Sequence, residues 1–170
     1  ATADASVEVG ETIIVDITGV SGGSASESSV QQQTVTITDD DTATVTLTAS
    51  SNSIVEAAGT STVTATLSNI TYENVTVSLG FSGTATSSEY TASATSITIV
   101  AGQTTGTATL TAIADTSVEA SETIIVDITG VSGGSASESS IQQQTVTITD
   151  DDTATVTLSA SSNSIAEAGG

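Results

Sequence analysis

Residues 122–152 read ETIIVDITGVSGGSASESSIQQQTVTITDDD. In ETIIVDIT (122–129) and again in QQTVTIT (143–149) apolar, mostly β-branched residues alternate with polar ones, the period-two pattern of a half-buried strand. A Gly/Ser-rich stretch separates the two runs, and three consecutive acids follow the second. The reading is strand, turn, strand, acidic end. The same 31 residues occur at 11–41 with Val30 in place of Ile141 as the single change.

Working outward, residues 1–59 match 112–170 at a constant offset of 111, and only eight of the 59 aligned positions differ. Near-identity at this level is the mark of a recent duplication or a homogenised array. The triplet Asp39–Asp41, recurring as Asp150–Asp152, is the clearest punctuation: each copy follows TVTIT and precedes TATVTL. One full unit therefore spans 42–152, with 1–41 the C-terminal part of a preceding unit and 153–170 the N-terminal strand of a following one. Neither fragment offers enough strands to bury an apolar face alone. Completion by neighbouring repeats of the same chain or by identical subunits is expected, as in a fibre or a long array.

Composition narrows the function. Twenty Asp and Glu stand against no Lys, Arg or His, a formal charge of -20. Without basic side chains there is no counter-charge for phosphate, which argues against nucleic acid and anionic lipid as partners. His, Cys and Lys are all missing, so the usual agents of acid–base and nucleophilic catalysis are gone and an enzyme is not expected. The missing Lys also rules out Lys–Asn isopeptide cross-links. No apolar run reaches membrane-spanning length. Thr (35) and Ser (28) make up 63 of 170 residues, yet 36% of the chain is hydrophobic, so this is not a disordered acidic tail.

Alternation predicts seven strands in the full unit, at 43–49, 60–68, 74–81, 95–100, 104–114, 122–129 and 143–149, and no helix. Seven short antiparallel strands in 111 residues fit an all-β sandwich of immunoglobulin-like type. Its core is aliphatic, since Tyr72, Phe81 and Tyr90 are the only aromatic residues. Thr at alternate positions reads as a solvated strand face rather than a ligand lattice. The Asn-X-Thr triplets at Asn69 and Asn74 are weak signals in so Thr-rich a chain.

The acids cluster. Asp115, Glu119 and Glu122 share the loop ADTSVEASE, and Asp150–Asp152 close the last strand. If the last two strands are antiparallel neighbours, loop and triplet meet at one pole of the sandwich. Two like charges ~5 Å apart repel by about 3 kcal/mol at an effective dielectric of ~20. Six carboxylates gathered there call for a cation. An oxygen-only ligand set without His or Cys favours Ca2+ over Zn2+, and the number of ligands favours it over Mg2+. A solvated acidic end that keeps an array soluble is the plainer alternative.

The strand leading into SIVEAAG, the SEYT turn, the D-x3-E-x2-E loop at Asp115, Glu119 and Glu122, the ETIIVDI strand and the terminal TVTITDDD together resemble the Calx-β domain. The resemblance covers 42–152 and the matching parts of both fragments. It implies a seven-stranded sandwich with calcium ions at the pole formed by the loop and the terminal acids. Carried over, the ligands are Glu56, Glu89, Asp115, Glu119, Glu122, Asp150, Asp151 and Asp152. The preceding unit repeats the pattern with Asp4, Glu8, Glu11 and Asp39, Asp40 and Asp41, and Glu167 begins it again. Two positions depart from the calcium-binding members: Ala114 stands where an acid is found, and Glu89 where Asp is common.

These readings converge on a calcium-stiffened structural repeat of an extracellular filament or giant surface adhesin. A module that binds a carbohydrate or a surface is the alternative, and a calcium sensor a second. Binding tips are usually unrepeated domains, and sensors call for unequal ones, whereas homogenised copies look like length.

Overall fold

The computed structural model describes residues 2–168. Two strands come first, β1 (Glu11–Asp16) and β2 (Gln32–Ile37). Ten more follow: β3 (Ala43–Ala49), β4 (Ser53–Val55), β5 (Thr60–Leu67), β6 (Val75–Gly83), β7 (Tyr90–Ala92), β8 (Ser96–Ile99), β9 (Thr105–Ala112), β10 (Glu122–Ser132), β11 (Ala136–Glu138) and β12 (Gln143–Thr149). Among the described residues no helix is long and apolar enough to cross a membrane.

β3 to β12 form two five-stranded sheets, ordered β4-β12-β10-β6-β8 and β11-β3-β5-β9-β7. Period-two sequence explains both layers, because alternate residues of each strand point inward. β5 alternates strictly, with Ser61, Val63, Ala65 and Leu67 buried, and β10 buries Ile124, Val126 and Ile128 on the facing sheet. Each large aliphatic side chain removed from water contributes about 1.5–3 kcal/mol. Phe81 and Tyr90 form the aromatic contact of the fold, with ring centroids 6.4 Å apart.

All seven expected strands are present, but three short ones are added. β4, β7 and β11 are three residues each and lie at sheet edges. Two of them also break the expected all-antiparallel pattern: β4 pairs with β12, and β11 with β3, in parallel. β4 continues the direction of β3, since the chain advances along β12 from Leu47 at Gln144 to Asn52 at Thr147, and it therefore meets β12 in parallel at the sheet edge. β10 is longer than expected and continues past a register shift between Ile128 and Gly130, a bulge that lets it follow β6 to Ser132.

The two copies of the repeated stretch fold alike locally. β1 pairs with β2 from Glu11↔Ile37 to Asp16↔Gln32, and β10 pairs with β12 from Glu122↔Ile148 to Asp127↔Gln143, the same register displaced by 111. Their surroundings differ. Ile13 and Val15 are about half exposed, whereas Ile124 and Val126 are fully buried.

The strand expected over 153–170 is not formed within residues 153–168, and positions 169 and 170 lie outside the described residues. Val156 and Leu158 are 97% and 100% exposed, while Val45 and Leu47 at the matching positions of β3 are 0% and 2%. The sequence is nearly the same, so propensity is not the difference. β3 is held by β5 and β11, and among the described residues no strand pairs with 153–168.

Candidate metal centre

The acidic pole is built by chain reversals around β10 and β12. Their antiparallel pairing sets Glu122 opposite Ile148, which brings the loop preceding β10 beside Asp150–Asp152. The parallel β4–β12 pair then carries Glu56 to the same place, with the Glu56 amide donating to the Thr149 carbonyl at 2.9 Å. Glu56 is only 5% exposed, although it is an acid in a chain with no base. Its carboxylate accepts the Asp115 amide at 2.8 Å.

Asp150 organises the other side. It accepts the Glu119 amide at 3.0 Å and the Asp152 amide at 3.1 Å, so one side chain ties the loop to the triplet. Asp115 in turn accepts the Ser117 amide at 2.6 Å. Glu89 is brought in by a turn outside the cluster, capped by the Ser88 hydroxyl at 2.6 Å and by the Thr86 amide. Gly83 makes that approach possible. Its φ is 116°, and a Cβ there would lie 2.1 Å from the Thr123 carbonyl oxygen. Thr84 then fixes the turn on β10, accepting the Thr123 amide at 2.8 Å.

The result is a cleft lined by Glu56, Glu89, Glu119, Ala120, Glu122, Ile148 and Asp150. One carboxylate oxygen each from Glu56, Asp115 and Asp152 lies within 4.8 Å of the others. Asp151 is exposed and outside that triad, and Glu167 is exposed in the strandless segment.

Crowding shows in the acidities. The Asp115 amide, the largest single influence on Glu56, pulls its pKa down, but burial and the carboxylates of Asp115, Asp152 and Asp150 together leave it above the ordinary value. Glu119 is raised by Asp115 and then by burial, Glu122 by burial and then by Glu89 and Glu56, and Asp152 by burial and then by Asp150 and Asp151. Asp150 is lowered by the Glu119 and Asp152 amides it accepts, and Glu89 by the hydroxyls of Ser88 and Thr86. Asp150, held below the ordinary value, thus stands among neighbours held above it. Bound cations relieve mutual repulsion of this kind.

The donor set fits calcium. Ligands of one Ca2+ at ~2.3–2.6 Å lie at most about 5 Å apart, and the Glu56, Asp115 and Asp152 oxygens meet that limit. No His or Cys is present to favour zinc.

The preceding copy rebuilds the same bonds. Asp39 accepts the Glu8 amide at 2.9 Å and the Asp41 amide at 3.3 Å, as Asp150 does with Glu119 and Asp152, and Asp4 accepts the Ser6 amide at 2.8 Å. Asp4, Glu8, Glu11 and Asp39–Asp41 line one hollow, and an oxygen from each member of the triplet lies within 4.8 Å of the others. Glu8 is raised by burial and by Asp4, Glu11 and Asp39, and Asp41 by burial and by Asp39 and Asp40. This arrangement needs only the loop, the hairpin register and the triplet.

Sequence reasoning missed the supports of the site: Gly83, Thr84 with Thr123, and the short β4. The end of alternation at Gly83 was the one available signal.

A two-sheet sandwich with an acidic pole is the class that this fold and site define. Residues 41–153 match the model of the LapA domain, and the chain belongs to that family, a domain of bacterial surface-adhesion proteins. Among solved structures, the apo form of the Calx CBD1 domain is similar over 64% of this chain and 99% of that one, at 17% identity and a TM-score of 0.54. The CBD12 structure from CALX1.2 is similar over 59% of this chain at 20% identity and a TM-score of 0.52, and the match spans 41% of that chain's length. Both share the fold. No relative is found among curated protein sequences.

Proposed function

We propose that the chain is a calcium-stiffened structural repeat of a bacterial surface adhesin or extracellular filament. Membership of the LapA domain family supports the surface setting. The observation that carries the calcium is the buried Glu56 beside Asp115 and Asp152, in a chain with no cationic side chain. Glu56, Glu89, Asp115, Glu119, Glu122 and Asp150–Asp152 are the ligand candidates of the full unit. Asp4, Glu8, Glu11 and Asp39–Asp41 are those of the preceding one.

In this reading 42–152 is a complete sandwich, 1–41 closes another, and 153–170 supplies the first strand of a third. The apolar face of β1 supports it: Ile13 and Val15 are exposed where their counterparts Ile124 and Val126 are core. Calcium is the counter-ion that lets the pole ionise and ties loop, triplet and Glu56 together. Since β3 begins two residues after Asp41, the metal sits at the junction between units and limits its bending. At ~100 times Kd each site adds about 2.7 kcal/mol, a large share of a net domain stability of ~5–15 kcal/mol.

The test is a calcium titration of the chain by isothermal calorimetry. Saturable binding that Glu56→Gln weakens is expected. Absence of binding at millimolar Ca2+ removes the metal and leaves the solvated acidic end.

A further inference from the structure

The loop that precedes β1 behaves unlike the hairpin it leads into. Val7 is 3% exposed, whereas the strand residues of β1 are all exposed. It is buried against the full unit. The Val7 amide donates to the Ile70 carbonyl at 2.9 Å, and the Val7 carbonyl accepts the Tyr72 amide at 3.0 Å, a parallel bridge centred on Thr71.

The receiving socket is well made. Thr71 is 0% exposed, its hydroxyl donates to the Glu73 carbonyl at 2.8 Å, and its carbonyl accepts the Gly102 amide at 2.9 Å. The β10–β11 turn closes over it: a Cβ on Gly134 would come 2.8 Å from the Thr71 Cβ. This socket lies at the Ser132 end of β10, since Ser132 pairs with Thr76, while the acids lie at the Glu122 end. The acidic pole of one unit thus meets the opposite pole of the next.

The second copy of the loop has the same Asp, Ser, Val and Glu, and Val118 stands where Val7 does. Val118 is 55% exposed. We infer that Val118 is a docking plug for a further copy of this repeat, seating on that copy's counterpart of Ile70–Tyr72 as Val7 seats here. The contact is head to tail and makes each junction a fixed joint of two backbone hydrogen bonds and one buried valine. It rests on the repeat reading above and goes beyond the metal, because the contact is made by an apolar side chain and backbone hydrogen bonds rather than by carboxylates. Calcium bonded by Asp4, Glu8 and Asp39 would hold the plug loop in shape.

The test uses the whole chain, which has no Cys, with spin labels at Gln33→Cys on β2 and Thr98→Cys on β8. The unsubstituted background gives a narrow inter-label distance distribution in Ca2+. Val7→Asp broadens it while the melting of the sandwich is kept, Val7→Ala broadens it less, Val7→Ile leaves it narrow, and Val118→Asp leaves it unchanged. In a chain extended by one more repeat, with labels across the new junction, Val118→Asp broadens the distribution as Val7→Asp does at the first. A distribution that stays narrow with Val7→Asp, or one that is broad without substitution, overturns the plug. So does a new junction indifferent to Val118→Asp. A melting temperature indifferent to Ca2+ alongside a Val7-dependent distance would remove the metal and keep the plug.

Discussion

The Asp115 amide reaches the buried Glu56 carboxylate at 2.8 Å across 59 residues of chain. That bond couples the turn after β4 to the loop before β10, and with Asp152 it closes the triad of oxygens at the acidic pole. Glu56→Gln keeps an acceptor for the Asp115 amide and removes a charge. In chelator the variant is expected to melt no lower than the parent, because repulsion is relieved. In Ca2+ a tenfold loss of affinity would remove about 1.4 kcal/mol of stabilisation. Parallel melts of the two proteins check both halves.

Asp151→Asn with Asp152→Asn should lower the melting temperature in Ca2+ and leave it nearly unchanged in EDTA. Asp152 lies in the oxygen triad, and Asp151 adds to the charge that raises it. An equal loss in both buffers would make these acids structural rather than metal-linked.

The metal-free protein should respond to pH in the sense opposite to an ion-paired one. Glu56, Glu119, Glu122 and Asp152 have raised pKa values, so the folded state binds more protons than the unfolded state just above the ordinary carboxylate range. Stability in EDTA therefore falls as pH rises through those raised values and is recovered on acidification toward the ordinary ones. Below that range Asp150 and Glu89, whose values are lowered, lose their accepted hydrogen bonds, and stability declines again. In Ca2+ the first trend reverses, since protons compete with the metal. Melting temperature against pH in the two buffers displays the crossing.

Ile124 and Ile13 occupy the same place in the repeat, yet one is 0% exposed and the other 48%. Ile124→Ala should cost about 2–5 kcal/mol, in Ca2+ and in EDTA alike. Ile13→Ala should change the melting of the sandwich by less than about 0.5 kcal/mol. Denaturant titration of both variants measures the contrast.

Much of this was legible because the strands are period-two runs and the acids sit at their ends. β3, β5, β6, β8, β9, β10 and β12 follow from alternation, and the pole follows from the antiparallel pairing of β10 with β12. The edges were not legible. β4, β7 and β11 are three residues long and owe their state to the strand each meets, and 153–168 has the composition of β3 without its partners. Nor does sequence separate Val7 from Val118. A single valine in an acidic loop carries no period, and its burial is decided by the unit placed against it. Both Asn-X-Thr asparagines bond to backbone: Asn69 Nδ2 donates to the Thr42 carbonyl at 2.8 Å, and Asn74 accepts the Ala101 amide at 2.9 Å.

Scanning calorimetry of the 170-residue chain in millimolar Ca2+, in Mg2+ and in EDTA tests the central claim most directly. One well-occupied site is worth about 2.7 kcal/mol, so a rise of roughly 10 °C in Ca2+ over EDTA is expected, with little of it reproduced by Mg2+. A melting temperature the same in all three buffers would contradict the account, and the acidic pole would then be a solvated surface.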